Sequence, residues 1–171
     1  MNTFPTVWRI HLQAHGNKVF DFCRSKSVVG FGYPLYDEKG NKQFPQNIEQ
    51  AMSLGKQQYP DKEGFIHSMR AFQAIKLNDL IWTLSEGKYY LCRVTGTWCY
   101  QADSDNISAD VVNVIPVEFL YAGIGDQIPE KVKKSFLISG NTIRRINGSD
   151  DNSTCFNPVI VDSMKIYNTI V

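Results

Sequence analysis

The chain has 171 residues, 43% hydrophobic and 20% charged, which is enough for one globular domain with a proper core and too apolar for global disorder. Eighteen Lys and Arg against seventeen Asp and Glu leave a formal charge of +1, so the total charge excludes a general attraction to nucleic acid or membrane. Any such attraction must come from local clusters.

Thr6 to Gln13 alternates with the period of a strand, Val7 and Arg9 on one face and Trp8, Ile10 and Leu12 on the other. It is expected to be the first strand of a small barrel. Val28 to Tyr33, VVGFGY, reads as a strand interrupted by two glycines, a mark of a bulge or of a close backbone approach. Between Pro45 and Leu77 the period becomes helical. One helix is expected from Pro45 to Pro60, carrying Ile48, Ala51, Met52 and Tyr59, and a second from a cap at Asp61, burying Phe65, Met69 and Phe72.

Three further strands are expected at Asp79 to Leu84, Lys88 to Thr95 and Val111 to Leu120, and their short spacing favours an antiparallel meander or small barrel. Pro129 opens a helix with Val132, Phe136 and Leu137 inward and Lys131, Lys133 and Lys134 mostly outward, and Thr142 to Ile146 resembles a return strand. The polar run at 147–154 reads as a loop or linker. The pattern leaves open whether the rest, to Val171, adds a last strand or begins a linker to an effector domain.

The cysteines at 23, 92, 99 and 155 form no CxxC pair and have no ligand-like spacing to His11, His15 or His67, so neither disulfides nor zinc is expected, and no cofactor is. The N-terminus lacks the basic flank and apolar run of a signal peptide, and no apolar stretch approaches the roughly 18 to 20 residues of a membrane span. A cytoplasmic protein with reduced thiols and no membrane partner is expected. No HExxH, GxSxG or Walker-type pattern occurs, so no catalytic constellation is expected either.

The densest chemistry lies in KLNDLIWTLSEGKYYLCRVTGTWCY, Lys76 to Tyr100, where Trp82, Tyr89, Tyr90, Trp98 and Tyr100 fall within nineteen positions of a chain that is 12% aromatic overall. Trp82 is mid-strand, where core packing and pocket lining are both open. Tyr89 and Tyr90 face opposite ways, so at most one can line a given cavity, and Tyr90 is the choice. Trp98 follows a turn glycine and is favoured for exposure.

WRIH, VVGFGY, FQAIKLNDLIWTL, YYLCRVTGTW, VIPVEFL and IPEKVKKSFLISGNTIRRI, taken in order over residues 6 to 146, resemble the PUA-like superfamily. Within it they are most similar to the EVE and YTH-related domains of bacterial modification-dependent restriction systems. Asn78 stands where that family more often has Gly before Asp79, and Asn tolerates the left-handed backbone that a turn there requires. A long insert from Leu35 to Gly64 is a second departure.

The resemblance implies an α+β fold, a PUA-like mixed barrel with flanking helices over residues 1–146. It also implies a reader, not a catalyst, which extracts one methylated or hydroxymethylated base and holds it among aromatic rings. Extruding a base costs a few kcal/mol of stacking, and enclosing rings return about 1 to 3 kcal/mol.

The base-binding candidates are then Phe31, Tyr33, Trp82, Tyr90 and Trp98, with Tyr33 in the place where the family has an aromatic wall. Candidates for the nucleic-acid backbone are Arg93, Lys131, Lys134, Arg144 and Arg145. Modified DNA is the expected partner, together with a nuclease domain or subunit. An RNA reader of methylated adenine and a small-ligand binder or enzyme on the same fold remain the alternatives.

Overall fold

The alternation of the first strand is realised in β1 (Val7–Ile10). Trp8 and Ile10 join one core and Val7 joins a second core on the opposite face. The computed structural model describes residues 4–13, 16–146 and 158–171. After β1 it has a helix that the sequence pattern did not predict, α1 (Lys18–Lys26), with Val19, Phe20 and Cys23 buried. Ser27, at φ 53°, turns the chain directly from α1 into β2 (Val28–Phe31).

Helix α2 (Ile48–Gln58) begins later than Pro45, because the side chain of Asn47 accepts from the Gln50 N–H at 2.8 Å and so caps the helix. Helix α3 (Glu63–Ala74) buries Phe65, Met69 and Phe72 as their spacing predicts, but it starts after Lys62 without the Asp61 cap. Strands β3 (Leu80–Ser85) and β4 (Lys88–Val94) form the expected hairpin. They are followed by β5 (Cys99–Tyr100), the short helix α4 (Ser104–Ser108) and the long strand β6 (Asn113–Gly123). Helix α5 (Glu130–Leu137), strand β7 (Ile143–Arg145) and helix α6 (Pro158–Ile170) complete the described chain.

The strands form one curled half-barrel sheet in the order β2-β6-β4-β3-β1-β7, with β5 added to β6. The sheet is mixed, as in the mixed barrel expected above, whereas strand spacing alone favours an antiparallel meander. β1 runs parallel to β3, with Val7 beside Leu80, because the crossover through α1, β2, α2 and α3 returns the chain in the same direction. The glycine signal in β2 has the meaning expected of it. A Cβ on Gly30 would collide with the backbone carbonyl of Asn113 and the side chain of Val111, so only glycine lets β2 lie this close to β6.

Both faces of the sheet are covered. The inner core packs α1, α2 and α3 against it, and the outer core gathers Val7, Leu80, Trp82 and Leu91 under Val132 of α5 and Val159 of α6. Leu137, expected inward on α5, is 84% exposed at the end of that helix. Residues 158–170 form a helix against β6 and β1 and not a last strand, while 147–157 lie outside the described residues. Among the described residues no helix is long and apolar enough to cross a membrane.

Candidate functional site

The main path of the sheet ends on β2 and on β7, and a cavity of about 500 Å³ is lined by β2 and by Thr142, the residue just before β7. Gly30 to Pro34 supply one wall. His11 and Thr142, joined by a 2.8 Å bond from the His11 N–H to the Thr142 carbonyl, supply the opposite one. Val19 of α1 closes the side between them.

The β2 wall is shaped by backbone geometry. Gly32 lies so close to the carboxyl of Asp110 that any Cβ would clash with it, and Tyr33 holds φ at 68°, a left-handed conformation uncommon for a residue with a side chain. That conformation aims the Tyr33 ring into an aromatic nest, 5.2 Å from Tyr59 and 5.2 Å from Phe65 edge-on, with Phe31 at 6.3 Å. The nest is pinned by polar contacts. The Tyr59 hydroxyl donates to the Pro34 carbonyl at 2.5 Å and accepts from Gln58 at 2.8 Å, and the same Gln58 amide accepts from the Tyr36 N–H at 2.7 Å. Tyr100 accepts from the Leu35 N–H at 2.7 Å, fixing the loop from the other side.

The cavity is mixed in character. Phe31, Tyr33 and Tyr59 offer flat apolar faces, while Lys62, Asp110 and the backbone around Gly32 offer hydrogen-bonding groups near its rim. Burial first, and the neighbouring Arg9 second, push His11 below its ordinary pKa against the opposing effect of its ring N–H bond to the Ile138 backbone, so the imidazole is neutral at pH 7. Its ring also packs edge-on against Phe136 at 5.4 Å.

Of the five rings expected in one cage, the structure brings Phe31 and Tyr33 together at this cavity. Trp98 lines a different hollow of about 580 Å³ with Tyr100, Phe72 and Ile48, and its indole donates to the Asn113 side chain at 3.2 Å. Trp82 is corrected to the outer core. It is 0% exposed and its indole donates to Ser163 of α6 at 3.0 Å. Tyr90 is likewise corrected to the inner core, 7% exposed, its ring tilted against Phe20 at 4.8 Å beneath Arg24. Tyr59, Lys62 and Asp110 were not singled out from the sequence. The one signal for Tyr59 was its place at a helix end before Pro60.

The cationic candidates separate as well. Arg93 is ion-paired with Glu118 at 3.2 Å and bonded to Asn78 at 3.0 Å, which leaves it poorly placed to meet a phosphate. Asn78 has the left-handed backbone expected of it, φ 69°. Lys131 and Lys134 are exposed on α5 and line neither the ring cavity nor the Trp98 hollow, and Lys133 pairs with Glu130 at 2.9 Å. Arg144 and Arg145 lie on the free edge strand β7, directly opposite Arg9 and Trp8 of β1.

Burial pushes the Cys23 thiol up to about 12 and raises Cys92 and Cys99 as well, so none of these is an activated nucleophile. Among the described residues no group of His, Cys, Asp and Glu could hold a metal ion. No family model, curated protein or solved structure matches the chain.

Proposed function

We propose that this chain is a PUA-like, EVE/YTH-type reader that captures one flipped, modified base of DNA in the cavity between β2 and β7. The observation that carries the proposal is the cavity itself, with rings from Phe31, Tyr33 and Tyr59 on one side and polar groups at its rim, open at the unclosed seam of the sheet. A planar heterocycle stacks on such rings, and Asp110, Lys62 and backbone groups of β2 meet its edge.

The work done is binding. The positioned groups suit recognition of a base edge, and the described thiols are held protonated. In this reading the chain acts in the cytoplasm as the specificity module of a restriction or defence system, and the nuclease belongs to another domain or chain.

Base extrusion has a direct optical test. A duplex carrying 2-aminopurine next to a methylated or hydroxymethylated cytosine should brighten when the protein binds, because the neighbour is unstacked, and Tyr33→Ala should remove that response. Binding without brightening would leave a surface contact and no captured base.

A further inference from the structure

Along the free edge of β7 lies a smaller hollow, of about 350 Å³, lined by Trp8, His67, Arg70, Asn141, Arg144 and Arg145. Three guanidinium groups and an imidazole converge there, and among the described residues no carboxylate lines it. The ion pairs among the described residues lie elsewhere, at Arg93–Glu118, Lys133–Glu130 and Lys165–Asp162. Cations gathered without a counter-charge repel one another, and an anion between them removes that repulsion.

A buried arginine that does not line the hollow, Arg9, over the Phe136 ring at 5.9 Å, adds to the positive charge beside it. Arg9 is 0% exposed and stands directly opposite Arg144 in the β1–β7 register, so the two like-charged side chains share a face. One Arg9 Nη donates to the carbonyl of Asn141, a residue of the hollow, at 2.8 Å, while Nε and the other Nη have no hydrogen-bond partner among the described residues. Burial, and then Arg144, lower this guanidinium to about 10. Such a charge is destabilising unless something negative lies close to it.

We infer that the hollow is a phosphate-binding subsite, with Arg70 and Arg145 as its exposed clamp, the half-buried Arg144 as its floor, the exposed His67, held at 3.1 Å to the Ile143 carbonyl, at its side, and Arg9 as a fixed positive charge nearby. Guanidinium forks suit the tetrahedral oxygens of a phosphate, which accept paired N–H bonds. Asn141 lines this hollow and the next residue, Thr142, lines the ring cavity. A phosphate seated here is therefore placed as the phosphodiester beside an extruded nucleotide. That source of the phosphate rests on the base-reading proposal, whereas the phosphate chemistry does not.

The test has two arms, run on the full chain and on Arg70→Gln/Arg145→Gln. Both side chains are exposed, so the variant keeps its fold, which a thermal melt verifies. In the first arm, inorganic phosphate added at constant ionic strength should shift the arginine side-chain and Trp8 indole NMR signals of the native protein and leave those of the variant in place. In the second arm, a short unmodified single-stranded oligonucleotide, followed by anisotropy over a salt series, should bind the variant more weakly. Its log–log salt slope should fall by about 0.7 for each phosphate that the variant no longer neutralises. The ratio of affinities for modified and unmodified oligonucleotide should stay unchanged.

Equal phosphate shifts and equal oligonucleotide affinity in both proteins would overturn the subsite. Phosphate shifts that depend on the arginines, with oligonucleotide binding that does not, would keep the site and assign it to free phosphate groups. Arginine-dependent binding by a protein that ignores base modification would keep the subsite and remove the base-reading proposal alone.

Discussion

Asn113 ties Trp98 to the wall of the ring cavity. Its side-chain oxygen accepts from the Trp98 indole at 3.2 Å while its amide donates to the Gly32 carbonyl at 2.6 Å, and Asn113 itself is buried on β6. One side chain thus holds both the Trp98 hollow and the strained step that presents Tyr33.

Replacing Asn113 with Leu keeps the volume and strands both partners. Stability should fall by about 1 to 3 kcal/mol, the cost of a buried polar group left unpaired. Urea unfolding followed by tryptophan fluorescence measures it, and the native-state emission should also shift as Trp98 loses its acceptor. An unchanged midpoint would mean that water replaces both bonds.

Tyr33 and Trp82 should separate binding from stability. Tyr33→Ala removes a cavity wall from a half-buried site, so it should weaken binding of the modified base by about 1 to 3 kcal/mol, about five- to 140-fold, with a small effect on folding. Trp82→Ala empties the outer core and should destabilise the protein by about 3 to 5 kcal/mol. At a temperature where the Trp82 variant is still folded, its affinity should remain near native. Paired melting and binding curves for the two variants check both halves.

That contrast also shows how far residue chemistry alone reaches. The two faces of β1 and the glycine-marked approach of β2 to β6 follow from local residue chemistry, and the left-handed Asn78 from the resemblance, and the structure has all three. Trp82 could not be placed in the same way. β3 is buried on both faces by helices from distant parts of the chain, so alternation no longer tells core from cavity. Helix α6 was hidden because VIV and the following Ile and Tyr suit a strand equally well, and tertiary packing on the sheet decides. Tyr59 and Lys62 join Tyr33 at the cavity only when the 35–64 insert folds back, and Asp110 only when the chain returns past α4, proximities that spacing cannot show.

Acid should act through His11. Its pKa is lowered in the folded state, mainly by burial and then by Arg9, so the unfolded chain binds the proton more readily. The stability it contributes is complete above its ordinary value of about 6.5 and is lost as pH falls through the lowered folded value. The urea midpoint of the native protein should therefore decline below that pH, and His11→Asn should flatten this part of the profile. Parallel profiles for the two proteins would contradict the assignment.

Base acts in the opposite direction through the buried thiols. Cys23 and Cys92 have raised folded pKa values, so their contribution is complete below the ordinary thiol value near 9 and is lost as pH rises towards about 12 for Cys23. In the native state, alkylation with iodoacetamide should reach the half-buried Cys99 before either of these, as peptide mass mapping would show. Early modification of Cys23 or Cys92 would mean that the inner core opens more readily than its packing allows.

The central claim is tested most directly by calorimetric titration with oligonucleotides of one sequence. They would carry methylated, hydroxymethylated or unmodified bases, as DNA and as RNA, against the native protein and Tyr33→Ala/Tyr59→Ala. The base-reading account predicts tight binding of one modified DNA form, and loss of that preference in the variant. Equal affinity for modified and unmodified strands, or a preference that survives removal of both rings, would contradict it.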